Sequence, residues 1–131
     1  MLTQDRATPT RANRDHDDPM AAAVLIYAGA IVMLDAAGNA VPGQTAVGLT
    51  PRGIAQTQID NREGIAGAMS VPTVNGCHRF INDNSVTREN IGKTAYVVDD
   101  ETVANTDGTG TRSALGNIVD LDATGVWVHI A

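Results

Sequence analysis

The chain has 131 residues, 13 of them glycine and only four aromatic, and a formal net charge of −6. That length supports one domain built round one hydrophobic core, without room for a second. A single lysine leaves no clustered basic surface for phosphate, which argues against a nucleic-acid partner, and the lone Cys77 excludes an intrachain disulfide.

In chain order, Met1–Pro19 comes first and holds almost nothing that could be buried. Leu2 stands among Thr3, Gln4, Asp5, Arg6, Thr8, Thr10, Arg11, Asn13 and Arg14, followed by Asp15, His16, Asp17 and Asp18. Ordering such a segment costs about 1–2 kcal/mol of backbone entropy per residue, which its own contacts cannot offset. Residues 1–19 are therefore expected to form a flexible arm, ordered only by a partner, ahead of a β-rich domain over residues 20–131. The arm carries three Arg against four Asp, so the body holds six basic and eleven acidic residues, a net of −5. The apolar run Ala21–Leu34, interrupted by Gly29, is too short for a membrane span of about 20 residues. Its acidic lead-in does not suit a signal peptide either, so the run reads as buried strands.

Short apolar runs and alternations predict strands throughout, with no sustained helical period. Val24–Tyr27 and Ile31–Leu34 are strands broken at Ala28-Gly29-Ala30. Asp35–Asn39 is a hairpin turn into Ala40-Val41, which stops at Pro42-Gly43. Gly53–Ile59 gives an indifferent strand signal, and Asp60–Gly64 reads as an exposed polar loop. Met69–Ile81, with Pro72 and Asn75-Gly76 inside it, predicts two short strands, the proline marking an edge or bulge. Thr87–Gly92 reads as one capped helical turn with Thr87 as N-cap and Gly92 as the left-handed exit. Tyr96–Val98 is a strand, Asp99–Thr102 its turn with Val103 beyond, and Asn105–Thr111 a flexible loop. Leu115–Leu121 and Val126–Ile130 form a closing hairpin across Asp122–Gly125. The predicted class is all-β: a small barrel or sandwich of short strands with one short helical turn, preceded by an extended arm.

No motif supplies catalysis. Gly92-Lys93-Thr94 lacks the glycine that a phosphate loop needs five residues earlier, where Thr87 stands, and it leads into a strand rather than a helix. Cys77 and His78 are neighbours on a strand and point to opposite faces, and Cys77 reads as a small core residue. Asp99–Glu101 and Asp107–Gly110 offer carboxylates without the ligand spacing of a calcium loop. No catalytic residue, metal or cofactor is assigned. Tyr27 and Trp127 read first as core fillers in an aromatic-poor chain, and otherwise as anchors of a self-association surface.

The body nevertheless resembles the small head-decoration, or capsid cement, proteins of tailed bacteriophages. The resemblance is carried by Ile26–Val32, Gly38–Gly43, Val86-Thr87 with Asn90–Asp100, and Gly116–Asp122 with Gly125–Val128, and it covers most of Val24–Ile130. It implies a non-enzymatic virion protein on the outer surface of the capsid, made in the host cytoplasm. Such a protein bridges major capsid protein subunits, as a homo-oligomer with a trimer favoured, and with its arm lying on the capsid. The arm Met1–Pro19 lies outside the matched part; in such a role the residues expected to contact the capsid are Thr3, Gln4, Arg6, Thr8, Thr10, Arg11 and Arg14 of the arm, with Val24 and Ile26 of the first body strand. Strand addition suits such an arm, because main-chain hydrogen bonds supply affinity with few side-chain demands. Two other readings compete. One is a head-fibre or adhesion module that binds host glycans through Asp60–Gly64 and Asn105–Thr111; the other is a small hydrolase using Cys77 and a histidine.

Overall fold

The turn at Asp35 sets the plan of the molecule. Its carboxylate accepts the backbone N–H groups of Ala37 and Asn39 at 2.9 Å each, and Gly38 takes the positive φ (82°) that closes the turn. The strands joined here are hydrophobic on both faces, and the computed structural model, which describes residues 1–131, uses both faces. Twelve strands and one 3₁₀ turn (Arg88–Asn90) make up the regular structure. They are β1 (Asp15–Pro19), β2 (Leu25–Ile26), β3 (Ile31–Leu34), β4 (Ala40–Pro42), β5 (Thr50–Ala55), β6 (Ile59–Asp60), β7 (Ser70–Val74), β8 (Gly76–Asn82), β9 (Thr94–Val97), β10 (Thr102–Ala104), β11 (Ala114–Asp122) and β12 (Gly125–Ile130).

The first sheet runs β1-β7-β5-β3-β4, and its two ends meet where Met20 bridges Ala40 in parallel. The last five strands close into a barrel in the order β10-β8-β12-β11-β9, and β2 pairs with β6. The all-β expectation of a small barrel with short strands and one helical turn matches this architecture. In β12, Val126, Val128 and Ile130 are fully buried while Trp127 and His129 face out. In β11 the alternation is broken twice, between Ala114 and Gly116 opposite β9 and between Ile118 and Asp120 opposite β12, where a bulge turns Val119 outward.

The expectation of a single core is corrected. One cluster joins the barrel interior to Ile31, Met33 and Val41. A second gathers Met20, Ile26, Ala30, Val32, Ala40, Ala55 and Val71. Residues Ile31 and Met33 of β3 serve the first, and Val32 between them serves the second. A strand covered on both faces reads as a continuous apolar run, as Ile31–Leu34 does. The shared β3–β4 wall is how so short a chain affords two clusters.

The boundary of the arm also moves. Asp15–Pro19, expected as its last part, pairs residue by residue with β7 from Asp15 opposite Val74 to Pro19 opposite Ser70. The expected break inside Met69–Ile81 is present between β7 and β8. Pro72, however, lies in a strand with β1 on one side and β5 on the other. Its carbonyl accepts the Gln56 N–H at 2.9 Å. The N–H it lacks would point the same way, at the Gln56 carbonyl just past Ala55, so the bond forgone lies at the end of the β5–β7 ladder.

Candidate interaction surface

Backbone order in β1 is set by its partners rather than by its own apolar content. Asn75 donates its N–H to the Arg14 carbonyl at 3.0 Å and its side-chain amide to the Asn13 carbonyl at 2.8 Å. At the other end Met20 donates to the Met69 carbonyl at 2.9 Å. With Arg14 and Met20 both bonded toward β7, alternation turns the main-chain groups of Asp15, Asp17 and Pro19 outward. Carboxylates and a terminal proline along an open edge oppose pairing with a stray strand.

One ion pair fixes β1 to the sheet interior. The Arg52 guanidinium forks onto the Asp18 carboxylate, Nε to Oδ2 at 2.6 Å and Nη2 to Oδ1 at 3.1 Å. Gln56 reaches Asp15 from the same strand side at 3.1 Å. Around these residues, with Arg11, His16, Asp17 and Pro72, lies a polar concavity of about 540 Å³.

Outward of Asn13 the arm is different. Residues 1–14 are exposed throughout, and their only backbone hydrogen bond beyond the root is internal, from Thr8 N–H to the Arg6 carbonyl. Thr3, Gln4, Arg6, Thr8, Thr10, Arg11 and Arg14 are thus all at the surface. Moving the boundary to residue 14 also changes the charge reading. Residues 1–14 hold Arg6, Arg11 and Arg14 against Asp5, a net of +2, which leaves −8 on the rest of a chain whose total is −6.

The two candidates on the first body strand lie elsewhere. Ile26 is fully buried in the second core, and Val24 packs against that core half-exposed. The Ile26 side chain therefore has no surface to offer a partner. Tyr27, by contrast, is 55% exposed, and Trp127 is 37% exposed on the outer barrel face beneath the Arg79 guanidinium, 5.9 Å from the ring centre. Neither is the core filler first expected; aliphatic residues, Met20, Met33 and Phe80 fill the two clusters. Tyr27 borders a concavity of about 360 Å³ with Ala28, Gly29, Ala30, Asp100 and Glu101.

Cys77 is likewise exposed rather than buried. It faces His129 across the β8–β12 ladder on the outer barrel face, while His78 points to the other side and contacts the Asn75 carbonyl at 3.0 Å. None of the surface concavities includes Cys77 or His129, and none is lined by Asn105–Thr111 or Asp60–Gly64. Nowhere do three His, Cys, Asp or Glu side chains converge in a way that could hold a metal ion.

The Asp60–Gly64 loop is more ordered than its polarity suggests. Asn61 is buried, and its amide donates to the carbonyls of Ala21 (2.9 Å) and Ile65 (3.1 Å). Beside it the Arg62 side chain hydrogen-bonds the Asp60 carboxylate and holds its pKa at about 2, with help from the Arg62 backbone N–H. At the barrel hairpin, hydrogen bonds from the Thr124 hydroxyl and backbone hold the Asp122 carboxyl below its ordinary value. Sequence reading missed Asn61, Asn75 and the Arg52–Asp18 fork. Only Asn75 carried a signal, as an Asn-Gly break between two strands.

Searches against protein-family models, curated proteins and solved structures return no match to this chain.

Proposed function

We propose that the chain is a structural virion protein that binds the outside of a phage capsid and bridges major capsid protein subunits, acting as a homo-oligomer in which a trimer is favoured. The reading rests on the sequence resemblance of Val24–Ile130. Physically, the observation that carries it is an extended arm rigidly rooted in a β body but unsatisfied beyond its root. Twelve exposed residues (1–12) that make no hydrogen bond to their own body are suited to lying on another surface, where main-chain bonding orders them. Each arm binds weakly because ordering it costs free energy comparable to what it gains. Several arms on one oligomer raise avidity by about 10²–10⁴.

Truncation tests the reading at the observed boundary. Removing residues 1–12 leaves the Asn13 and Arg14 carbonyls bonded to Asn75, and β1 and its Arg52 fork in place, so the body should unfold at an unchanged temperature while attachment to expanded heads weakens at least tenfold. Unchanged head affinity of the truncated protein would remove the arm from the mechanism. Absence of the full-length protein from the capsid surface in cryo-electron microscopy of virions would sink the reading altogether.

A further inference from the structure

The charge division at residue 14 gives the arm a second destination. The concavity beside Tyr27 has a floor of small residues, Ala28, Gly29 and Ala30, and a rim of two carboxylates, Asp100 and Glu101. A Cβ at Gly29 would meet nothing within 4 Å, so the floor is open. The loop itself is fixed, because the Asp100 carbonyl accepts the Ile31 N–H at 2.8 Å. Yet neither the Asp100 nor the Glu101 carboxylate takes part in any of the molecule's side-chain hydrogen bonds or ion pairs, which involve Arg52, Arg62 and Arg88. The only aromatic ring in the concavity lies more than half exposed above them.

An exposed phenol beside two free carboxylates is the chemistry that receives a guanidinium: the ring face attracts the cation, and the carboxylate takes its N–H groups in a fork. The arm supplies unpaired guanidinium groups at Arg6 and Arg11, on a segment of net charge +2, facing a body of net charge −8. Its own body holds it by hydrogen bonds only at Asn13 and Arg14; Arg11 borders the concavity beside β1 without a hydrogen bond or ion pair there, and Arg6 lies farther out. Extended from its root at Asn13, the arm carries Arg6 about 25 Å outward, far enough to cross to a neighbour. We propose that the arm of one copy docks on a second copy, placing Arg6 or Arg11 in the Tyr27–Asp100–Glu101 concavity. The contact gives the arm of the proposed cement a partner before attachment, and a capsid surface would then compete for it. It can be tested without any capsid, so its failure is distinct from failure of the head-binding reading.

The experiment is charge reversal in the full chain, read by sedimentation velocity at protein concentrations up to ~1 mM, high enough to populate a weak contact. Wild-type chain should self-associate at low ionic strength, and at least tenfold more weakly at ~0.5 M salt, where the Debye length is only a few ångströms. An arm variant (R6E/R11E) and a concavity variant (D100K/E101K) should each lose this association, since each now sets like charges against one another. Mixed in equal amounts they should associate again, because both cross-contacts become complementary; that recovery also shows that both variants are folded. A wild-type chain that shows no salt-sensitive association overturns the proposal. So does an arm variant that associates like wild type, or a mixture with no hetero-association, which would place the contact within one chain or nowhere.

Discussion

Arg52→Met should destabilise the body more than Asp18→Ala, although both break the same ion pair. The reason is burial: the Asp18 side chain is 13% exposed and that of Arg52 28%. Losing Arg52 strands a carboxylate with little water, whereas losing Asp18 leaves a guanidinium able to turn toward solvent, and methionine preserves the packing of the arginine stem. An exposed pair is worth about 0.2–1 kcal/mol, but hydrogen bonds to charged groups contribute about 1.5–3 kcal/mol, and this pair is a two-bond fork at partial burial. We expect costs of about 2–3 kcal/mol for Arg52→Met and about 1–2 kcal/mol for Asp18→Ala, with a coupling of about 1.5–2.5 kcal/mol. The double substitution should then cost no more than Arg52→Met alone. Urea unfolding of the four proteins measures the cycle, with midpoint shifts of about 1–2 M for the worse single variant. Hydrogen exchange at β1 amides should rise in all three variants. A coupling below about 0.5 kcal/mol, or a larger cost for Asp18→Ala, would refute the argument that this fork anchors β1.

The other expectations follow from single geometries. At Gly53 φ is +155°, and an added Cβ would lie 2.4 Å from the Val74 carbonyl oxygen, a backbone atom that cannot swing aside; Gly53→Ala should cost about 2–4 kcal/mol in chemical denaturation. For Asp60 the pKa is lowered to about 2 from 3.8. The Asp60–Arg62 contribution is therefore present above about 4 and lost as pH falls through about 2, and Arg62→Ala should raise the carboxyl midpoint seen by NMR only part of the way to its ordinary value, because the backbone N–H at position 62 remains. Because Cys77 is exposed, a thiol reagent should label the folded protein to completion, and Cys77→Ala should change stability by less than about 0.5 kcal/mol. Labelling that requires denaturant would contradict the outward placement.

What could be read in the sequence was local. The Asp35–Asn39 turn, the Thr87–Gly92 turn and the β11–β12 hairpin were legible because each is specified by residues within a few positions of one another. Strand β1 was not, since Asp-His-Asp-Asp-Pro carries no apolar residue and owes its order to Asn75 and to an arginine 34 positions away. Cys77 was misplaced for a related reason. In β7 the buried residues are Val71 and Thr73, and the break at Asn75 with Gly76 at φ 106° resets the phase, so Phe80 points in and Cys77, Arg79 and Ile81 point out. The outward side of Trp127 followed from the alternation with Val126, Val128 and Ile130, and the scarcity of aromatics was the weaker guide. The two-cluster interior had a sequence mark in the unbroken Ile31–Leu34 run. For the interaction surface, the composition of the arm was legible and its boundary was not; the five-residue error concealed that the free part is cationic.

That boundary also decides how a load on the arm would enter the body. The arm continues directly into β1, so tension along it acts parallel to the β1–β7 ladder, whose five residue pairs resist together in shear instead of opening one at a time. Asp18 near the far end of β1 is tied through Arg52 to β5, and β5 in turn pairs with β3, the strand shared by both hydrophobic clusters. Force applied at Arg14 thus reaches the β3–β4 wall within three strands, without passing through a loop. Had the flexible segment extended to Pro19, tension would instead reach the body at Met20, leaving the Arg52 fork outside the load path. An arm rooted in a strand can transmit a pull between neighbours, and one rooted in a loop would only tether them.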